Sequence, residues 1–320
     1  MSKASSTSPS ELFELVEAGD RVWAAISRSG ETVGNAAIVD LGGRVLVVDT
    51  FLTTRPAAEL RQAALKLTGV EAAWVVNTHF HNDHCGGNEI FAAAARIAAT
   101  EGTREKILER KAALPDRIAE AEARLAELGG GGAAGGKGGA ADPEIERQRE
   151  ELAHEIEVLR RMRVVAPEAT FSDRLTIRGE RRRVDVVAVG AAHTPSDAVV
   201  HLPEERILIS GDVVLNGVHP WVGDGDLKSW IEVLGRLSGM AADTLVPGHG
   251  EVGRASAIAD MADYMRDLLG LVEAAVAAAP GVAPENLPVP EIPERWRSLY
   301  MPHTWPGDFP AAVRAGTRSS

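Results

Sequence analysis

Thr78-His79-Phe80-His81-Asn82-Asp83-His84-Cys85-Gly86-Gly87 sets three histidines and an aspartate close together, directly after the apolar run Ala72-Ala73-Trp74-Val75-Val76. On a strand, alternate side chains share a face, so His79 and His81 are expected to point the same way. A turn after His81 then swings Asp83 and His84 back towards the same point. Imidazole and carboxylate are the ligands of zinc and similar divalent ions. The competing reading is a surface loop that happens to be rich in histidine. Against it, three of the nine histidines of the chain fall here, at a strand end. The stretch predicts a metal site whose remaining ligands lie elsewhere.

The rest of the composition is that of an ordinary globular chain, with 45% apolar and 25% charged residues over 320 positions. A net charge of −12 points away from nucleic acid and from an anionic membrane as main partners, and leaves a small-molecule substrate. The single cysteine, Cys85, excludes an internal disulfide framework and an all-thiolate zinc site. The opening MSKASSTSPSELFELVEAGD has no apolar core of signal-peptide length, and no apolar run approaches the roughly 20 residues that span a bilayer. The expected compartment is a reducing cytoplasm.

Around the quoted stretch the pattern alternates strand and helix. Strands are expected at 22–26, 36–40 and 45–49, the last two joined by a Leu41-Gly42-Gly43 turn. An amphipathic helix follows over 54–67, with Thr54 as its cap and Pro56 in its first turn, then a strand at 71–77. That is an α/β unit. After a short strand at 95–100 the character changes. Residues 101–128 are charged and helical, with Leu114, Ile118, Ala121, Leu125 and Leu128 in a heptad seam that Pro115 should kink or split. The Gly-rich run 129–140 cannot hold a helix, and 143–163 is helical again, with Ile145, Leu152, Ile156 and Leu159 apolar. Two antiparallel arms packed along their seams result, the second roughly 30 Å long. The hairpin reads as a surface decoration, a homodimer contact or a lid.

Strands resume at 175–177, 184–189, 198–202 and 207–210, with a Pro203-Glu204-Glu205 turn in the last pair. A helix over 227–237, a strand at 244–246, a long helix over 254–279 and a Pro-rich tail with a last short helix at 309–315 complete the chain. The expected division is 11–100 and 164–279 as halves of one domain, 101–163 as insert and 280–320 as tail.

Three further residues stand at strand ends beside glycine or proline: His193 before Thr194-Pro195, Asp212 after Gly211, and His249 in Pro247-Gly248-His249-Gly250. Each alone is weak. With the first stretch they make seven ligand-type residues in four loops, all after apolar strands.

With its complete His-x-His-x-Asp-His signature at His79, His81, Asp83 and His84, and with His193, Asp212 and His249 following, the chain resembles the metallo-β-lactamase-fold superfamily of metallohydrolases. The resemblance runs from about Arg21 to Gly250, interrupted by the helical insert. The segments around His193-Thr194-Pro195-Ser196-Asp197 and Gly211-Asp212-Val213-Val214 are similar to the cyclase-like or quinoprotein-associated branch. The resemblance implies an αββα sandwich, two mixed β-sheets face to face with helices outside. It also implies two divalent ions, zinc first and iron or manganese as alternatives. His79, His81 and His193 would hold one ion, Asp83, His84 and His249 the other, and Asp212 would bridge them.

Such a site implies a hydrolase. A hydroxide shared by two ions forms near neutral pH and attacks a small ester, lactone, thioester or lactam, while Asp83 orients it and carries a proton to the leaving group. Asn216, His219, Trp221 and Lys228 follow the bridging aspartate and are candidate substrate-binding residues. His201 reads as structural, His154 as solvated, and His303 as a cap on the pocket or a packing residue. Cys85 reads as a packed small side chain. Two alternatives stand beside the hydrolase: a mono-iron persulfide oxygenase with a similar motif, and a binding protein that kept the fold.

Overall fold

Alternation along the strands sorts the apolar residues into layers. Val22, Ala24 and Ile26 point one way, Ala198, Val200 and Leu202 point back at them, and together with Val39, Val48, Val186 and Ile209 they fill a buried layer between two sheets. The computed structural model describes residues 10–130, 143–299 and 304–318.

Among the described residues the first sheet has seven strands in sequence order: β1 (Phe13–Gly19), β2 (Val22–Ser27), β3 (Ala36–Asp40), β4 (Val45–Val48), β5 (Ala72–Val76), β6 (Arg96–Thr100) and β7 (Ala169–Phe171). Pairing is antiparallel up to β4 and parallel from β4 onward. The second sheet comprises β8 (Arg174–Arg178), β9 (Arg183–Gly190), β10 (Asp197–Leu202), β11 (Ile207–Gly211), β12 (Thr244–Pro247) and β13 (Gly253–Arg254), ordered β13-β12-β11-β10-β9-β8. Only its β11–β12 pair is parallel. Both sheets are mixed.

The first sheet carries α1 (Thr54–Thr68) over β4 and β5. The outer face of the second is covered by α6 (Leu227–Ser238), α7 (Ser256–Ala278) and α8 (Thr304–Thr317), whose Trp230, Leu234, Met265, Leu268, Phe309 and Val313 bury Val199, Leu208 and Leu245. These three alternate with the inward-facing Val200, Ile209 and Val246, so the central strands are buried on both faces and read as unbroken apolar runs. Asp226 caps α6 by accepting the Ser229 N–H at 2.9 Å, and the Trp230 indole donates to the Val213 carbonyl at 2.9 Å. The expected αββα architecture is present.

Residues 105–165 form a second compact unit. Its helices are α4 (Glu101–Gly130), whose first residues belong to the main body, and α5 (Pro143–Arg161). Ala121, Leu152 and Ile156 cluster, with Leu125 and Leu128 against them, which is the seam read from the heptad spacing. Of the two outcomes expected at Pro115, a kink or a split, the split does not occur: α4 runs through it, and most residues around it are exposed, so the carbonyl that loses its N–H partner can be hydrated. Ile145 stands exposed rather than in the seam. Beyond Gly130 the Gly-rich run lies outside the described residues, as do Tyr300 and His303. No helix among the described residues is long and apolar enough to cross a membrane.

Candidate metal centre

Five of the seven candidate ligands lie on loops that follow strands, and Asp83 and His84 lie on a short helical turn. β5 ends at Val76, so His79 and His81 lie on a loop and not, as expected, on the strand. A single helical turn, α2 (Asn82–Cys85), follows, and after Gly86-Gly87 comes a second, α3 (Asn88–Phe91). The loop is gripped from below. Asn77 and Thr50 bond the His84 carbonyl, and both also bond Asn88 at 3.0 Å. Cys85 donates its S–H to the His81 carbonyl at 3.1 Å, the packed role expected of it.

The other loops are set by equally local means. Buried Asp197 accepts from the Ala192 and Thr194 N–H groups and the Thr194 hydroxyl, which builds the turn presenting His193. Burial pushes its carboxyl up to about 7 although all three bonds favour the ion. Parallel pairing of β11 and β12 places Gly211 beside Pro247, so Asp212 and His249 leave adjacent strands at the same level. Position 248 between them has to be glycine, because a Cβ there would run into the Asp212 carboxylate. Asn35 reaches across from the first sheet and donates to the carbonyls of Pro247 and Gly250 at 3.0 and 2.8 Å.

His79, His81, His193 and Asp212 form one convergent group, and Asp83, His84 and His249 a second. In the first, His81 Nδ1 is 3.1 Å from His79 Nε2 and 2.9 Å from His193 Nε2, and Asp212 Oδ2 is 3.3 Å from His193 Nε2. In the second, Asp83 Oδ2 is 3.4 Å from His84 Nε2 and 3.3 Å from His249 Nε2. Asp212 also reaches this group, 3.1 Å from His84 Nε2 and 3.2 Å from His249 Nε2. Ligand atoms around a tetrahedral ion with bonds near 2.0–2.1 Å stand about 3.4 Å apart. His84 Nε2 and Asp212 Oδ1 are buried and not aligned to hydrogen-bond, although they lie 3.1 Å apart. Two buried ligand-type atoms left without a hydrogen-bond partner so close together fit a cation held between them.

The partners of three histidines favour the tautomer such a role needs. His84 Nδ1 donates to Asp49 Oδ2 at 2.8 Å, which frees Nε2. His79 Nδ1 meets the Thr78 hydroxyl at 3.0 Å, and that hydroxyl donates to the same Asp49 at 2.8 Å. His81 uses its other nitrogen: Nε2 meets Asp224 Oδ2 at 3.0 Å, which frees Nδ1. Asp49 holds its place with a positive φ of 60°, a strained conformation for a residue other than glycine. Sequence reading missed Asp49, Asn35 and Asp224. Asp49 had a signal, an acid straight after an apolar strand; Asp224 and Asn35 had none.

Without metal the groups hold one another's charge. Burial is the largest influence on His84 and favours the neutral ring, yet Asp212, Asp83 and Asp49 raise its pKa well above the ordinary value. His249 follows the same pattern and rises to about 9 through Asp212 and Asp83. Burial lowers His193 to about 3 and takes His79 well below the usual range, with neighbouring histidines adding to it. Asp83 and Asp212 stay ionised far below the ordinary carboxylate range despite burial, because histidines surround them.

The expected substrate residues divide. The Trp221 ring lies 5.1 Å from the His81 ring and 6.1 Å from His193, and at 45% exposed it forms the mouth. Asn216 instead ties the loops together, donating to the Glu251 carbonyl at 2.8 Å. His219 turns into the core, its Nδ1 2.9 Å from the Tyr264 hydroxyl. Lys228 is exposed in the first turn of α6. His201 is half-buried on β10, its Nε2 within hydrogen-bond distance of the Ala241 carbonyl at 3.1 Å.

A family model described as the metallo-beta-lactamase superfamily matches residues 29–249. The chain belongs to that superfamily. Among curated relatives, a linear primary-alkylsulfatase of Pseudomonas sp. (strain ATCC 19151) is 27% identical over 225 residues, 65% of this chain and 39% of that protein. A metallo-beta-lactamase type 2 of Bacteroides fragilis is 30% identical over 92 residues, 27% of this chain and 37% of that protein. The chain thus spans less than half the length of each. Among solved structures, a metallo-beta-lactamase from Pontibacter korlensis superposes with a TM-score of 0.59 at 21% identity, over 80% of this chain and 99% of that one. The DIM-1 metallo-beta-lactamase gives 0.58 at 19%, over 80% and 97%. These two share the fold.

Proposed function

We propose that this protein is a metal-dependent hydrolase with a two-ion centre, zinc by preference, that opens a small ester, lactone, thioester or lactam. One observation carries the reading: seven buried or half-buried ligand groups converge in two sets, with the Asp212 carboxylate within 3.1–3.3 Å of members of both. Divalent ions bound there supply Lewis acidity and lower the pKa of bound water from about 15.7 towards 7. His79, His81 and His193 would hold one ion, Asp83, His84 and His249 the other, and Asp212 both.

The chain's own groups do the rest. Asp83 is ionised, its side chain 18% exposed, and it is the carboxylate best placed to orient a nucleophile and pass a proton to a leaving group. Trp221 offers an apolar face at the mouth for the non-reacting part of a substrate. Two curated relatives bear the names of a β-lactamase and an alkylsulfatase, so a β-lactam and an alkyl sulfate belong in the test panel.

The test is elemental analysis of the purified protein, followed by hydrolysis of an ester, lactone, thioester, β-lactam and alkyl sulfate, with Asp212→Ala as control. About two zinc ions per chain and turnover lost by at least 10³-fold in the variant are expected. One iron per chain with oxygen uptake, or near-normal turnover in Asp212→Ala, would overturn the reading.

A further inference from the structure

Arg318 follows directly after α8, beyond the residues that match the superfamily model. Its base is rigid. Phe309, Ala312, Val313 and Ala315 of α8 are buried in the core over the second sheet, and Gly316 packs against Val272, Leu227 and Leu269. From there the exposed guanidinium reaches back over the loop between Trp221 and Asp226. It donates to the Asp224 carbonyl at 2.8 Å and to the Gly223 carbonyl at 3.2 Å.

That loop carries the support of His81. Its far end is fixed, because Asp226 donates its N–H to the Ala192 carbonyl at 3.0 Å and caps α6. Its near end carries the exposed Trp221 ring. Asp224 lies between, its side chain 41% exposed, and its Oδ2 meets His81 Nε2 at 3.0 Å. An exposed carboxylate on a loop keeps one geometry only if the backbone beneath it is held, and a guanidinium fork across two successive carbonyls does this.

We propose that Arg318 is a positioning residue for the candidate metal centre: it fixes the backbone at Gly223 and Asp224 so that the Asp224 carboxylate orients His81. The proposal rests on the metal-site reading above. It gives the C-terminal segment a part in the site although that segment contributes no ligand.

Chelator-stripped protein titrated with Co²⁺, followed by visible absorption and calorimetry, separates the cases. Removing a carboxylate behind a metal-binding histidine weakens affinity about 10–100-fold. Asp224→Ala should therefore weaken one of the two cobalt steps by about tenfold or more. Arg318→Ala should weaken the same step by about 3- to 10-fold, and Arg318→Lys, which reaches one carbonyl, should recover part of it. In the double variant the arginine change should add little to the aspartate change. Arg318 is exposed, so melting of the stripped variant should match the wild type and separate positioning from loss of fold. Unchanged cobalt affinity and spectrum in Arg318→Ala, or full additivity in the double variant, would overturn the proposal alone. A wild-type chain that takes up no cobalt would overturn it together with the metal-site reading.

Discussion

The floor and the rim of the candidate centre solve one problem by opposite means. At the floor, Asp49 is buried and serves both ligand sets, His84 directly and His79 through Thr78. It sits in a web of buried amides and hydroxyls, and burial raises its pKa although His84 pulls it back. At the rim, Asp224 serves His81 alone, from a half-exposed loop steadied by a residue more than ninety positions away. Its carboxyl is held low by the bond to His81, with Arg318 adding a smaller effect. The difference is one of consequence. Damage at the floor should cost the fold and both ion sites, whereas damage at the rim should cost one ion site and leave the fold.

Asp49→Ala is the strongest way to break this contrast. It takes the acceptor from the Thr78 hydroxyl and removes one of the three carboxylates around the buried, raised-pKa His84, and losing one partner of a buried charged pair costs about 3–5 kcal/mol. Urea unfolding of the stripped protein should show a loss of that order, against a change within about 0.5 kcal/mol for Asp224→Ala. Equal losses in the two variants would erase the distinction.

Acidity sharpens it further. Without metal, His249 titrates at about 9, above the ordinary 6.5, so its proton stabilises the fold fully below pH 6.5 and that contribution is lost as pH rises through 9. Melting of the stripped protein should fall over this window. Metal has to displace the same proton, so zinc affinity should rise across it, by about tenfold per pH unit for one proton released. Calorimetry in buffers of different ionisation enthalpy would count that proton. Parallel trends for stripped and loaded protein would contradict the assignment.

The smallest effect is expected from removing residues 105–165 and joining the ends with a short linker. The unit has its own apolar seam and supplies none of the seven ligands. Two metal ions per chain should remain, by elemental analysis. Loss of metal from a still-folded deletion would give the insert a part in the site.

Ligand residues were legible in the sequence because their chemistry is distinctive and each follows an apolar strand. His79, His81, Asp83, His84, His193, Asp212 and His249 needed no knowledge of topology to be collected. Their supports were not legible in the same way. Asp224 and Asn35 act through backbone and side-chain partners that only the folded chain brings near, so neither carries a mark in its own neighbourhood. Strand β1 is not legible because Glu14 and Glu17 break the apolar pattern of an edge strand. In the segment after Asp212 the sequence offers Asn216, His219, Trp221 and Lys228 alike as candidate substrate contacts. The segment's residues divide between mouth, tie and core because the loop is anchored at His219 and Asn216 on the way to Trp221.

One feature of the floor also makes the protein its own gauge of integrity. The thiol of Cys85 is 4% exposed and bonded beneath the His81 carbonyl. A sulfhydryl reagent therefore cannot reach it until α2 and the ligand loop lift away. The rate at which that single thiol is labelled counts openings of the loop that carries four of the seven ligands. Any slowing of labelling when zinc is added would report directly how firmly the ions lock that loop shut.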